Sequence, residues 1–332
     1  MTIIVTGAAG FIGANNVKAL NGRGERDIVA VDHLAHADKF QNLADCDIAD
    51  YQDKHDFLDE LRRGALPKAD VVFHQGACSD TMATDGRYVM ENNYQFSLEL
   101  FRWCQDKKIP LIYASSAAVY GSGPVYIEDR AHERPLNVYG YSKFLFDAVV
   151  RRHLNNLTAP VVGLRYFNVY GPRESHKGRM ASVAFHALNQ FREHGSVRLF
   201  GASHGYADGE HRRDFVHVND VVSVNLHFRE RPVSGVFNVG TGRAQSFNDV
   251  AVAVVNAARA AKGKSALDLQ RLVAAGAIEY ITIPEALSSK YQAFTQADLT
   301  QLRAAGCATP FQTVEKGTAS YVEWRLAREP PA

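Results

Sequence analysis

Ile3-Ile4-Val5-Thr6-Gly7-Ala8-Ala9-Gly10-Phe11-Ile12-Gly13 is the stretch from which the rest of the chain can be placed. The β-branched run Ile3-Ile4-Val5 reads as a short buried strand, and residues 14–20 continue as a helix. Between them Gly7, Gly10 and Gly13 follow a Gly-x-x-Gly-x-x-Gly spacing, a variant of the dinucleotide fingerprint. Glycines in such a turn permit a tight bend, a close backbone approach to a pyrophosphate and close packing of helix on strand. The helix N-terminus adds free N–H groups and a partial positive charge. A glycine-rich turn alone is a weak signal; set between a strand and a helix, it predicts a dinucleotide-binding unit.

Outward from that unit the same alternation repeats. Asp27-Ile28-Val29-Ala30-Val31 reads as a second strand ending at Asp32, 19 residues beyond Gly13. A carboxylate there accepts hydrogen bonds from the adenosine ribose and favours NAD, since it repels a 2′-phosphate. Lys39 is a cation able to meet that phosphate instead, or a solvated loop lysine, and the residues leave the choice open. Asp47-Ile48-Ala49-Asp50 reads as the turn after a third strand, with either aspartate able to cap a helix. Val71-Val72-Phe73-His74 is a fourth strand, with His74 packed rather than basic, and Gln75-Gly76-Ala77 after it lets a cofactor run close to the backbone. Asn92 and Asn93 fall in a helix. Leu111-Ile112-Tyr113-Ala114, leading into Ser115-Ser116, and Val161-Val162-Gly163-Leu164-Arg165 are the fifth and sixth strands. The expected fold is α/β, a Rossmann-like doubly wound parallel sheet.

Tyr139-Gly140-Tyr141-Ser142-Lys143 can carry a reaction. On a helix Tyr139 and Lys143 share a face, about 5–6 Å apart at Cβ. A tyrosine with a pKa of about 10 is a poor base, and a neighbouring ammonium favours its phenolate. Such a pair can move a proton on or off a sugar hydroxyl. Ser116, at the C-terminal end of a strand, opens into the ligand crevice and can hydrogen-bond the same oxygen. Taken singly, these are a surface pair and a turn serine; their joint presence makes them candidates. Past the sixth strand, Asn168, Gly171-Pro172-Arg173 and Glu174-Ser175-His176-Lys177-Gly178 form a polar, turn-rich passage of the kind that builds a substrate site. Lys177 within it reads, from the residues alone, as solvated. Arg212-Arg213-Asp214-Phe215 could return a cation to the crevice, and residues 251–277 are alanine-rich and helical with a break at Gly263.

Whole-chain properties narrow the class. With 332 residues, 46% hydrophobic and 22% charged, the composition is that of a soluble globular protein. A formal charge of +1 without a basic block gives no reason to expect nucleic acid or an anionic membrane as partner. The four cysteines are scattered without Cys-x-x-Cys spacing, so neither a metal nor a disulfide frame is expected, and a reducing compartment fits. Met1-Thr2-Ile3-Ile4-Val5 runs directly into the first strand, so no signal peptide is expected, and no apolar run reaches the roughly 20 residues of a membrane span. A cytoplasmic location is expected. The expected organisation is residues 1–167 as the dinucleotide-binding part and 168–332 as a smaller, intertwined substrate part, with 212–242 returning to the first.

Taken together, Gly7/Gly10/Gly13, Asp32, Ser116 and Tyr139/Lys143, followed by RDFVHVND and NVGTG, resemble the extended short-chain dehydrogenase/reductase superfamily. Within it, KFQNLADCDIADY, FHQGACS, LNVYGYSKFLFD, RYFNVYGPRESHKGRMASVAFH and KYQAFTQADLTQLRAAG are similar to the ADP-L-glycero-D-manno-heptose 6-epimerase family. That resemblance implies oxidation of C6″ of a nucleotide-linked heptose to a ketone by bound NADP(H), or NAD(H), and return of hydride to the other face. Tyr139 matches the family's catalytic tyrosine, Lys143 its partner and Ser116 the oxygen-binding serine. Lys177 matches a second acid/base for the epimer of opposite hand, which overrides the solvated reading. Two epimers present their hydroxyls in different directions, so one acid/base cannot be well placed for both.

The resemblance further assigns Gly7, Gly10, Phe11, Ile12, Gly13, Asp32, His33, Lys39, Lys54, Gln75, Gly76, Ala77, Cys78, Ser79, Asn92, Lys143, Val169 and Lys177 to the cofactor. It assigns Asn168, Arg179, His186, Phe200, Gly201, Ser203, Arg213 and Tyr291 to the nucleotide sugar, with Arg213 suited to a diphosphate. A homopentamer serving lipopolysaccharide inner-core synthesis is implied too. His33 stands where asparagine is expected and Arg179 where serine is, and residues 202–211 and 257–275 are longer than usual. Among rivals, a 4,6-dehydratase carries an acidic pair just after the strand-end serine or threonine, whereas Ala117 and Ala118 stand there. A nucleotide-sugar 4-epimerase is a second rival. A catalytically silent dinucleotide sensor is a third, disfavoured by the intact Tyr139 and Lys143.

Overall fold

A computed structural model describes residues 2–285 and 291–329. The glycine turn organises it as its spacing requires. Strand β1 (Ile3–Thr6) feeds through the turn into helix α1 (Phe11–Gly22). Gly7 has φ +67°, and a Cβ there would stand 2.5 Å from the Gly76 nitrogen; a Cβ on Gly13 would stand 2.0 Å from the Gly7 carbonyl oxygen. No side chain fits either place, so helix, strand and the following loop close on bare backbone.

Seven parallel strands make the central sheet: β1, β2 (Ile28–Asp32), β3 (Asp50–Asp53), β4 (Val71–His74), β5 (Leu111–Ser116), β6 (Val161–Tyr166) and the late β10 (Gly235–Val239). Their spatial order is β3-β2-β1-β4-β5-β6-β10. The direction of winding reverses between β1 and β4, and ligands of open α/β sheets bind beyond the strand C-termini at such a switch point. Alternate side chains enter opposite layers: Ile3 and Val5 pack with Val17, Leu20 and Val221, whereas Ile4 packs with Phe57, Phe101 and Phe146.

Two expectations need correction here. The third strand follows the Asp47–Asp50 turn rather than preceding it. Its sequence, Asp50-Tyr51-Gln52-Asp53, has no apolar run because it is an edge strand, made by register pairing of Val29 to Asp50 through Asp32 to Asp53. Nor do Asp47 or Asp50 cap a helix; Asp53 does, accepting from the His55 backbone N–H at the start of α2 (Lys54–Arg63).

Helix α3 (Gly86–Met90) continues through a π-helical turn, Glu91–Gln95, into α4 (Phe96–Lys107). Helix α5 (Val138–His153) begins at Asn137, whose side chain accepts from the Gly140 N–H at 2.8 Å. It is bolted beneath β5 and β6 by a buried charge network. Asp147 accepts from Tyr113 and Ser115 hydroxyls and from Arg165 Nε, each at 2.9 Å, and Glu133 binds both Arg165 and Arg151. Removing one member of such a network strands a charge, so α5 and the Ser115-Ser116 strand end are held in fixed relation.

The chain leaves the sheet after Tyr166. It builds a second layer from β7 (Asn168–Tyr170), β8 (Val197–Phe200), β9 (Arg212–His217), β11 (Ala244–Ser246) and β12 (Ile278–Ile281), with α6 (Val183–His194) and α8 (Phe247–Ala260). Leu188, Val254, Val255, Leu272 and Tyr321 form its core. Between β9 and β11 the chain returns to the main sheet for α7 (Val218–Glu230) and β10, and α7 packs on α1. No helix among the described residues is long and apolar enough to cross a membrane.

Candidate active site

A cleft of about 500 Å³ opens at the switch point, beyond the C-termini of β1, β2, β4 and β5. The glycine turn forms its floor, and the first turn of α1 presents backbone N–H groups that no helix carbonyl can accept. Asp32, at the end of β2, is buried and already engaged. One oxygen accepts from the Ala9 N–H at 2.8 Å; the other accepts from the His33 N–H at 2.7 Å and pairs with Lys39. Lys39 is therefore neither solvated nor separate from Asp32. Lys54 donates to Asn92 Oδ1 at 2.6 Å, and burial lowers its pKa. The Asn93 amide clamps the Cys78 backbone at 2.8 and 3.0 Å, shaping the residue 75–79 wall. His74 is packed: its ring nitrogens meet Thr6 and Ser97 hydroxyls at 2.6 and 2.8 Å, and burial holds its pKa down to about 3.

Tyr139, Lys143 and Ser116 converge on the same cleft. Lys143 is 4% exposed, donates to the Ala114 carbonyl at 2.8 Å, and is lowered to about 8 by burial. Tyr139 runs against expectation. Its pKa is raised, by desolvation first, with a hydrogen bond from Ser116 acting the other way. Both groups line one cleft, and desolvation works against the charged form of each. Desolvation therefore favours the Tyr139 hydroxyl over its phenolate. Ala117 and Ala118 continue from Ser116 into a short 3-10 turn, Ala117–Tyr120.

Lys177 also lines the cleft, on the irregular 3-10 segment Ser175–Met180. Its ammonium stands 5.1 Å from the Phe11 ring centroid, has no hydrogen bond or ion pair to another described residue, and is lowered in pKa by burial. His176 beside it is lowered to about 4, by burial first and then by Lys39 and Lys177.

All the residues expected around the cofactor line this cleft: the glycine turn with Phe11 and Ile12, Asp32, His33, Lys39, Lys54, residues 75–79, Asn92, Lys143, Val169 and Lys177. Arg179 lines it as well, paired with Asp80 at 2.7 Å. The other expected substrate residues lie elsewhere. Phe200, Arg213 and Tyr291 form one group, with the Arg213 guanidinium 5.2 Å from the Tyr291 ring and the Phe200 and Tyr291 centroids 5.8 Å apart. Arg213 is 6% exposed and forms no ion pair among the described residues. Ser203 meets His211 Nε2 at 2.8 Å, next to Gly201. Asn168 accepts from Thr295 at 3.3 Å, and His186 packs its ring on Phe185 with Nε2 buried and unpartnered. Sequence reading overlooked His176, which lay in the passage it singled out, and Tyr166, whose hydroxyl donates to Gln75 at 2.9 Å in the cleft wall.

The fit to a dinucleotide rests on the cradle itself: glycines where a Cβ would collide, a helix N-terminus, and a strand-end carboxylate beside a lysine. Residues 3–240 match the family described as "Epimerase: NAD dependent epimerase/dehydratase family", and the chain belongs to that family. The solved Helicobacter pylori ADP-L-glycero-D-manno-heptose-6-epimerase is 33% identical, with 97% of this chain and 95% of that one covered and a TM-score of 0.79. The Thermotoga maritima UDP-glucose 4-epimerase, solved with UDP-glucose, is 26% identical over 98% of each chain, with a TM-score of 0.78. The Thermus thermophilus UDP-glucose 4-epimerase, solved with NAD, is 27% identical over 97% of this chain and 98% of that one, with a TM-score of 0.76.

Proposed function

We propose that this member of the NAD dependent epimerase/dehydratase family interconverts ADP-D-glycero-β-D-manno-heptose and its L-glycero epimer by inversion at C6″. One observation carries the reading: two separate acid/base candidates, Tyr139 on α5 and Lys177 on the Ser175–Met180 segment, line one cleft. A bound nicotinamide dinucleotide supplies the acceptance and return of a hydride. The chain's own groups do the rest. Ser116 holds the C6″ oxygen, and Tyr139 exchanges its proton with that oxygen for one epimer. Lys143 stays charged enough to ease loss of the tyrosine proton when substrate covers the site. Lys177 exchanges the proton for the other epimer. Its lowered pKa suits that role, because an amine works best as acid and base when its pKa lies near the operating pH. Arg213, buried without a carboxylate partner among the described residues, is assigned to the diphosphate.

Lys39 is assigned to a 2′-phosphate, giving preference for NADP over NAD; such a phosphate would draw Lys39 away from Asp32. Elimination of water is not proposed, since Ala117 and Ala118 offer no acid or base after Ser116. The reading extends to a cytoplasmic homopentamer serving lipopolysaccharide inner-core synthesis, which light scattering showing a monomer would refute. Proton NMR of ADP-D-glycero-β-D-manno-heptose incubated with the protein, without added reductant, tests the reaction. Growth of L-glycero signals supports it. An unchanged spectrum, with conversion of UDP-glucose to UDP-galactose instead, assigns the protein to the 4-epimerases.

A further inference from the structure

Asn42 ends the 3-10 turn Ala37–Asn42, away from the reacting groups, yet it is only 6% exposed and stands where three segments meet. Its amide nitrogen lies 3.0 Å from the Ala9 carbonyl in the glycine turn, 3.2 Å from the Arg173 carbonyl and 3.0 Å from His176 Nδ1. Its own carbonyl accepts from the Arg173 guanidinium, which also grips both carboxylate oxygens of Asp45 at 2.7 and 2.9 Å. Arg173 holds φ at +74°, a conformation that costs a residue with a side chain of order 1 kcal/mol or more. The start of the Lys177-bearing segment is therefore not self-sustaining and depends on outside ties. Glu174, buried, closes the segment from its other side by accepting from the Gly171 N–H at 3.2 Å, the Ser182 N–H at 2.6 Å and the Ser182 hydroxyl at 2.7 Å.

We propose that Asn42 is a positioning residue for Lys177. It fastens the strained turn before Lys177, and the His176 ring next to it, to the backbone of the dinucleotide turn. Lys177 has no hydrogen bond or ion pair of its own among the described residues, so its place in the cleft is inherited from this fastening. An amide is suited to the junction, because it donates two protons to carbonyls arriving from different directions without adding a buried charge. The catalytic consequence rests on the function proposed above for Lys177; the structural consequence does not.

Two readouts separate these. Competitive acetylation of the full chain with trace acetic anhydride, read by peptide mass spectrometry, reports the reactivity of each lysine. In Asn42→Ala, Lys177 should label about fivefold faster, toward the rate of exposed Lys264, while Lys143 stays as protected as in the native protein. Epimerisation should lose about tenfold in kcat, with KM and dinucleotide affinity within about twofold, as expected when a reacting group is misplaced rather than removed. Unchanged Lys177 labelling, or Lys143 rising in step with it, overturns the proposal. Should Asn42→Ala fail to fold, Asn42→Asp is read in the same way, since it keeps the shape and removes the donors. Native protein inactive on the heptose, with the labelling change present, overturns the proposed function and leaves the fastening standing. Activity on the heptose with labelling unmoved by either variant overturns the fastening alone.

Discussion

Lys143 and Lys177 face one cleft, and both are lowered in pKa by burial, but they are held in opposite ways. Lys143 stands in a regular helix, four residues after Tyr139 and four before Asp147, and its ammonium is fixed to the Ala114 carbonyl. Lys177 stands on a short irregular segment that bends at Gly178, φ +52°, with its ammonium over the Phe11 ring and no hydrogen bond or ion pair among the described residues. A cation tied to backbone is suited to tuning a neighbour; one held only by its segment is free to exchange a proton with a ligand. This difference is the physical basis for assigning Lys143 to Tyr139 and Lys177 to the substrate.

The largest effects should come from the two proposed proton-transfer groups. Tyr139→Phe and Lys177→Met are each expected to lower epimerisation by about 10²–10⁴-fold, the usual contribution of a placed acid/base. Bound dinucleotide, read by absorbance, and the melting temperature should stay near native values. Native-like turnover in Lys177→Met would return that lysine to the solvated class and erase the contrast with Lys143.

Lys143 sharpens the comparison through stability. Its folded pKa of about 8 lies below the ordinary 10.5, so the native state sheds this proton first as pH rises. The cost of burying the ammonium is fully present below pH 8 and is relieved between about 8 and 10.5. Lys143→Met should therefore lose activity yet exceed the native protein in stability at pH 7 by roughly 2–3 kcal/mol once the lost hydrogen bond to Ala114 is subtracted. That gap should close as pH approaches 10.5. Thermal melts across this range check it; a gap independent of pH would contradict the burial argument. The smallest effect concerns cofactor choice. Lys39→Ala should lower the NADP/NAD affinity ratio by about tenfold, about 1.4 kcal/mol, in calorimetric titrations. An unchanged ratio would leave Asp32 as the determinant and remove the preference for NADP.

What could be read in advance follows the same division. The glycine turn and the Tyr139/Lys143 pair depend on spacing over a few residues, and Asp32 marks the end of the next apolar strand, so local pattern announced them. The main sheet was legible for the same reason, because β1, β4 and β6 are continuous apolar runs. β3 was misplaced because Asp50-Tyr51-Gln52-Asp53 carries no apolar signal, and only pairing with β2 makes it a strand. Spacing placed Tyr139 and Lys143 on one helix but did not give the desolvation that sets the direction of both pKa shifts. The surroundings of Lys177 were hidden altogether, because Asn42 meets Arg173 across 131 positions of sequence. Phe200, Arg213 and Tyr291 are likewise gathered from β8, β9 and a distant coil, an assembly no local pattern marks.

The most direct test of two proton-transfer groups in one cleft is single-turnover reduction of the bound dinucleotide, followed by absorbance, with each heptose epimer supplied separately to Tyr139→Phe and Lys177→Met. The account predicts crossed defects, each variant slow with one epimer and near native with the other. Equal loss with both epimers in both variants, or no loss in Lys177→Met, would contradict it.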